Sequence, residues 1–316
     1  MSPASQTEKV AYLFPGQGSQ TVGMGKDLYD GSVAARAVFD EIDDTLGRSL
    51  GRSLTSIMFD GPQEELTKTE NAQPAITAVS LAAYKALEEA HGSCPDIAMV
   101  AGHSLGEYSS LHVAGALSVA DTARLVVERG RLMQHACDER PGGMAALLGI
   151  DELSVEEICN ETGTYISNIN TDEQIIVSGD HMSLAKAIDL AAARGARKCV
   201  PLPVDGAFHS GLMEPARSGL LEVIDSLDWH DPAVPVIANC DARSITTAAE
   251  IKEELGMQIM SCVRWSDSIR FMLGEDVRSF VEVGQGKVLA SMMRRIDREA
   301  TVSNISDMES VVALAS

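Results

Sequence analysis

Gly102-His103-Ser104-Leu105-Gly106 fits the pattern G-x-S-x-G. In that pattern a serine hydroxyl stands on a sharp strand-to-helix turn, exposed at the carboxyl end of a sheet. The flanking glycines permit close approach of neighbouring chain. The helix start behind the turn favours developing negative charge, and the Leu105 N–H is aimed at an oxyanion. The chemistry this suits is acyl transfer through a serine ester, and a serine hydroxyl needs a base to attack. Seven histidines are available. His103 lies inside the turn, with its side chain expected to point away from the serine. His91 and His230 fall in polar loops, and His112, His135 and His181 fall on helical stretches. His209 differs, because Asp205-Gly206-Ala207-Phe208-His209-Ser210 is a small-residue loop following a strand. It is the candidate base. Many acids lie between Ser104 and His209, and none is singled out as a third member of a triad.

The elements that must hold these residues are read from hydrophobic pattern. Val10 to Phe14 stops at Pro15-Gly16 and reads as a buried strand, as does Ile97 to Ala101 just before Gly102. Helices are predicted around 27–58, over 74–91 with Pro74 in the first turn, over 107–114 and over 119–137. After Arg140-Pro-Gly-Gly143 the order becomes β-α-β-β-α-β up to Pro203, which matches a ferredoxin-like insert. Helix and strand alternation then resumes: helices at 212–227, 248–260 and 266–273, strands at 234–238 and 279–283. The expected architecture is therefore α/β, an α/β-hydrolase-like large domain with a mostly parallel sheet and an inserted small subdomain. Its parts are residues 1–139, the ferredoxin-like insert 140–203, and 204–316.

Bulk properties agree with one large α/β unit. The chain has 316 residues, 45% of them hydrophobic but only 4% aromatic, so the core is aliphatic. No apolar run approaches the roughly 20 residues that span a bilayer, and Met1 to Lys9 lacks the apolar stretch of a secretory signal. Six cysteines (Cys94, Cys137, Cys159, Cys199, Cys240, Cys262) show neither zinc-site nor disulfide spacing. A cytoplasmic setting is expected, with no metal. The formal charge of -21 argues against nucleic acid as a partner.

With these residues in hand, the chain resembles the malonyl-CoA:acyl carrier protein transacylase family, which includes the acyltransferase domains of fatty acid and polyketide synthases. The likeness runs from Tyr12 to about Ile296. It is carried by Phe14-Pro-Gly-Gln-Gly-Ser-Gln20, Leu66-Thr-Lys-Thr69 with Gln73-Pro74, and Gly102-His-Ser-Leu-Gly-Glu-Tyr108. It continues through Glu128-Arg-Gly130, Asn168-Ile-Asn170 with Gln174, Ala207-Phe-His-Ser210 and Glu282-Val-Gly-Gln-Gly-Lys-Val288. The resemblance implies that Ser104 is the acylated nucleophile and His209 its general base and acid. The histidine would be oriented by a backbone carbonyl, that of Gln258, in place of a carboxylate. Gln17 would supply the second oxyanion-hole N–H beside Leu105, each such donor being worth about 10² to 10³ in rate. Arg129 would pair with the malonyl carboxylate. From the residues alone it reads as a solvated helix charge, yet a planar guanidinium is the group suited to bidentate carboxylate binding. Arg131 is assigned to a structural pair or to solvent. Phe208 would crowd an α-methyl branch and so select malonyl, and Asn170 would touch substrate. Two positions depart from the family pattern: Thr171-Asp172 stands where Ser-Pro is frequent, and Gln285 where proline is frequent, the latter without a functional reading.

The activity implied is ping-pong transfer of malonyl from malonyl-CoA to the phosphopantetheine thiol of an acyl carrier protein, in fatty acid or polyketide synthesis. No cofactor is implied beyond the coenzyme A thioester. Both partners are acidic, so local basic clusters must offset the net charge. The candidates are Arg194, Arg197 and Lys198, and Lys287 with Arg294, Arg295 and Arg298. A hydrolase of the same fold, acting on acyl-CoA or acyl carrier protein, is the alternative, and it would not need Arg129. A catalytically silent docking module is a third reading, opposed by the joint presence of Ser104, His209 and Arg129.

Overall fold

The computed structural model describes residues 9–92, 97–204 and 206–315. Cys94, Asp205 and nearly all of the polar N-terminal segment lie outside them. The first part of the chain runs β1 (Val10–Phe14), α1 (Lys26–Gly31), α2 (Val33–Leu46), α3 (Leu54–Asp60), α4 (Gln63–Thr67), α5 (Thr69–His91), β2 (Ile97–Gly102), α6 (Gly106–Val113) and α7 (Val119–Glu139). Next come β3 (Gly143–Leu148), α8 (Glu152–Thr162), β4 (Tyr165–Thr171), β5 (Gln174–Gly179), α9 (His181–Ala193) and β6 (Lys198–Pro201). The last part holds a 3₁₀ turn (Gly211–Met213), α10 (Glu214–Ser226), β7 (Val236–Ile237), β8 (Ser244–Ile245), α11 (Ala248–Gln258), α12 (Trp265–Gly274), β9 (Ser279–Val283), α13 (Val288–Ile296), β10 (Thr301–Ile305) and α14 (Met308–Ala315).

The larger sheet has the order β10-β9-β1-β2-β7-β8, parallel throughout except for the β7–β8 pair. A parallel sheet covered on both faces needs strands apolar on both sides. Strand β1 shows this residue by residue: Tyr12 and Phe14 enter one core with Val100 and the buried face of α5, while Ala11 and Leu13 enter another with Ala101, Ile237, Trp265 and Phe280. The smaller sheet, β4-β5-β3-β6, is antiparallel and has its own core under α8 and α9. Its order and the β-α-β-β-α-β sequence are ferredoxin-like. Among the described residues no helix is long and apolar enough to cross a membrane.

Two expectations need correction. Pro74 is not in the first turn: α5 begins at Thr69 and holds Pro74 inside it. The Lys68 carbonyl already accepts the Asn71 and Ala72 N–H groups, so the helix is nucleated upstream of the proline, which removes only one later donor. The chain beyond Val283, for which no elements are predicted, adds α13, edge strand β10 and α14. β10 alternates exposed and half-buried residues and pairs on one side only, with β9, so its apolar signal is thin.

The two sheets meet where the chemistry is expected. Ser167 and Ile169 of β4 exchange backbone hydrogen bonds with Val263 (2.8 and 2.9 Å). The Ser167 hydroxyl also donates to the Phe208 carbonyl at 3.1 Å. Ion pairs Arg264–Glu152 (3.5 Å) and Arg270–Asp172 (2.5 Å) join the same two parts.

Candidate active site

Ser104 follows β2 in the left-handed region, φ 53°. A non-glycine residue held there stores backbone strain. The sequence permits the turn because its flanks are glycines: a Cβ at Gly102 would overlap the Gly106 backbone, and one at Gly106 would overlap the Phe14 carbonyl. The His103 N–H donates to the Phe14 carbonyl (2.9 Å), binding the elbow to the end of β1. Asn239, just past β7, clamps the turn from the other side. Its Oδ1 accepts the Ser104 N–H at 2.7 Å and its Nδ2 donates to the Gly102 carbonyl at 2.7 Å. All three segments sit at carboxyl ends of parallel strands, where open α/β sheets bind ligands.

His209 is also left-handed, φ 56°, and is 3% exposed. Its Nε2 lies 2.7 Å from the Ser104 Oγ. Its Nδ1 faces two carbonyls, Gln258 O at 2.9 Å and Ser261 O at 3.1 Å. Carbonyls only accept, so Nδ1 carries the proton and Nε2 presents its lone pair to the serine hydroxyl. Burial, and then the Arg129 charge, depress the imidazole to about 3. It is neutral at physiological pH and poised to take a proton.

Arg129 lies on the inner face of α7, in line with Leu125, Val126, Met133 and Ala136, while Glu128 and Arg131 pair with each other at 2.7 Å outside. It is 1% exposed. Nη1 donates to Gln73 Oε1 at 2.8 Å. Nη2 donates to Gln258 Oε1 at 3.2 Å and to Ser104 Oγ at 3.3 Å. The guanidinium stacks over the Tyr108 ring at 5.1 Å, and its Nε has no hydrogen-bond partner. Helix α7 thus delivers a buried cation to the nucleophile, and no carboxylate among the described residues forms an ion pair with it.

The remaining expected residues fall as follows. Leu105 follows the nucleophile directly and is the N-cap of α6. The Gly106, Glu107 and Tyr108 N–H groups are spent on the His103, Ser104 and Leu105 carbonyls. Gln17 is half-buried in the turn after β1, next to Gly16, where an added Cβ would crowd the His103 carbonyl. The Phe208 ring folds over Gly206 beside Cys137 of α7. Asn170 is engaged by protein: its Oδ1 pairs with His103 Nε2 at 2.8 Å and its Nδ2 reaches Gln174 at 3.4 Å. His103 points away from the serine, as expected, with Trp265 edge-on at 5.5 Å.

Sequence reasoning missed Gln73, Asn239, Ser261 and Glu107 as parts of this network. Asn239 had a usable signal, since it is the first residue past a predicted parallel strand. The first basic cluster is largely neutralised: Arg194 is held by Glu157 and Glu161 (3.0 and 2.7 Å) and Arg197 by Glu173 (3.1 Å). On α13, by contrast, Arg294 and Arg295 are exposed, and Arg294 has a 3.4 Å contact to Ser291.

The chain is similar to known proteins over nearly its whole length. The family model described as "Acyl transferase domain" matches residues 11–315. The malonyl CoA-acyl carrier protein transacylase of Bacillus subtilis is 43% identical over 308 residues, covering 96% of this chain and 95% of that protein. That of Escherichia coli K12 is 37% identical over 307 residues, covering 96% and 97%. Among solved structures, the acyl-carrier-protein-S-malonyltransferase of Bartonella henselae superposes with TM-score 0.90 at 40% identity, covering 97% of this chain and 98% of that one. A malonyl-transacylase in complex with its type II PKS acyl-carrier protein superposes with TM-score 0.91 at 34% identity, covering 97% and 98%. A serine elbow touched by a neutral histidine and faced by a buried arginine, on a fold matched from end to end, makes this chain a member of the acyl transferase domain family.

Proposed function

We propose that the protein transfers a malonyl group from malonyl-CoA to the phosphopantetheine thiol of an acyl carrier protein through a malonyl ester on Ser104. The observation that carries this reading is the buried Arg129 guanidinium, 3.3 Å from the Ser104 hydroxyl and with no carboxylate in direct ion-pair contact among the described residues. A buried cation is costly unless paired, and the free carboxylate of malonyl is the anion that fits a planar fork. A hydrolase of simple acyl groups has no use for such a cation, and the relatives above are named transacylases.

In the first half-reaction the Ser104 Oγ attacks the thioester carbonyl as His209 Nε2 takes its proton. The oxyanion is held by the Leu105 and Gln17 N–H groups, at the helix start where negative charge is favoured. Collapse breaks the C–S bond, and the proton on His209 goes to the departing coenzyme A thiol. In the second half-reaction His209 deprotonates the phosphopantetheine thiol, which attacks the ester carbonyl, and Ser104 recovers its proton. Thioester replaces thioester, so neither an external energy source nor a further cofactor is required. Phe208 limits branching at the malonyl α-carbon, and Asn170 acts by fixing His103 in the elbow. We assign the enzyme to the cytoplasm, a reducing compartment suited to six cysteines whose spacing forms no disulfide framework; recovery in a periplasmic or membrane fraction would reject that assignment.

Intact-mass analysis after mixing with malonyl-CoA tests the reading. A persistent adduct of one malonyl group, absent in Ser104→Ala and discharged by holo carrier protein, is expected. Rapid loss of the adduct to water without carrier protein would establish hydrolysis in its place.

A further inference from the structure

Arg129 poses an electrostatic question. Its hydrogen-bond partners are neutral: two glutamine carbonyls and a hydroxyl. The structure nevertheless holds a buried acid one residue away in the network. Glu107, in the first turn of α6, is 1% exposed. Its Oε2 accepts from Gln258 Nε2 at 2.7 Å, and its Oε1 accepts from the Asn239 backbone N–H at 3.1 Å.

The orientation of the Gln258 amide follows from its neighbours. Arginine can only donate, so the atom facing Arg129 is Oε1. Nε2 must then face Glu107 and the Ser104 carbonyl, to which it donates at 2.8 Å. Both Glu107 oxygens therefore meet N–H donors, the arrangement satisfied by a carboxylate. Burial and the neighbouring Glu254 push the Glu107 carboxyl well above the usual carboxylate range, while the Gln258 and Asn239 bonds and the Arg129 charge oppose them. Gln258 also supplies the carbonyl that orients His209, and Asn239 clamps both ends of the elbow. Glu107 is thus in contact with both residues that hold the nucleophile, base and cation in register.

We propose that Glu107 is a positioning residue that carries the counter-charge of Arg129 at one amide's remove, with Gln258 as intermediary. An acid placed directly on Arg129 would saturate the guanidinium fork and compete with the malonyl carboxylate. Set behind a glutamine, the charge stabilises the empty site and leaves the fork open. The amide transmits it, because a carboxylate accepting at Nε2 polarises the carbonyl that receives the Arg129 Nη2 proton.

The inference rests on the malonyl-transfer reading, and the test separates the two. Malonyl and acetyl transfer to holo carrier protein are compared for wild type, Glu107→Gln, Arg129→Ala and the double variant. Glu107→Gln is expected to lower the malonyl-to-acetyl ratio of kcat/KM about tenfold or more, and to change it by less than about twofold in the Arg129→Ala background, as coupled residues do. An equal loss of both activities, or the same loss of ratio in both backgrounds, overturns the proposal. Melting temperatures give an arm independent of catalysis. Arg129→Ala strands a buried carboxylate, so adding Glu107→Gln to it should raise the melting temperature; an unchanged or lower melting temperature of the double variant relative to Arg129→Ala refutes the proposal. That comparison decides the matter even where Glu107→Gln alone fails to fold. If wild type itself transfers no malonyl, the functional reading falls, and the melting arm still judges the charge coupling.

Discussion

Replacing Arg129 by alanine should convert the protein from a malonyl-selective to a weakly discriminating acyltransferase. The guanidinium is 1% exposed, so its hydrogen bonds to a bound carboxylate would form away from water. Hydrogen bonds to charged groups contribute about 1.5–3 kcal/mol each, so a bidentate pair contributes about 3–6 kcal/mol. At 1.36 kcal/mol per decade, this predicts a fall of about 10² to 10⁴ in malonyl kcat/KM relative to acetyl. The substitution also leaves Gln73 Oε1 and Gln258 Oε1 without the donors they now have. That penalty falls on both acyl donors alike and cancels in the ratio. Arg129→Lys keeps the charge but not the fork, and should fall between alanine and wild type. The assay is initial-rate transfer from malonyl-CoA and acetyl-CoA to holo carrier protein. A malonyl-to-acetyl ratio within about threefold of wild type in Arg129→Ala would refute the assignment of Arg129 to the malonyl carboxylate.

Two further outcomes follow from the site. Phe208→Ala should raise the use of methylmalonyl-CoA relative to malonyl-CoA in a competition assay, since the ring precedes the base and folds against α7; an unchanged ratio would remove Phe208 from specificity. The His209 imidazole is depressed to about 3 by burial and then by the Arg129 charge. The acid limb of kcat/KM, which reports the free enzyme's base, should therefore lie well below the ordinary histidine value of about 6.5. In Arg129→Ala, followed with acetyl-CoA, the limb should move to higher pH, because a repelling positive charge is gone; a limb that stays put or moves down would contradict this. The same depression makes His209 stabilising above the unfolded value, a contribution lost as pH falls from about 6.5 toward the folded value.

Contiguous residues encode the local part of this protein. The elbow was legible because Gly102, Ser104 and Gly106 encode a local turn, and the strand before it is an unbroken apolar run. The ferredoxin-like insert was legible because its elements alternate cleanly between helix and strand periods. Which of Glu128, Arg129 and Arg131 faces inward was not. That depends on how α7 packs under α5 and α10; the residues alone favour a solvated charge for Arg129, and only the family resemblance points it at the site. Tertiary structure alone decided that Gln258 joins Arg129, Ser104, Glu107 and His209, that Ser261 supplies a second carbonyl to the base, that Asn239 clamps the elbow, and that Asn170 is spent on His103. It also decided that Arg194 and Arg197 are paired with acids. Each of these contacts closes a gap of tens to more than a hundred residues, such as the 105 between Ser104 and His209 or the 154 between Ser104 and Gln258. Local pattern fixes the backbone conformation of single elements; the meeting of side chains across such gaps is fixed by how two sheets and their helices exclude water together.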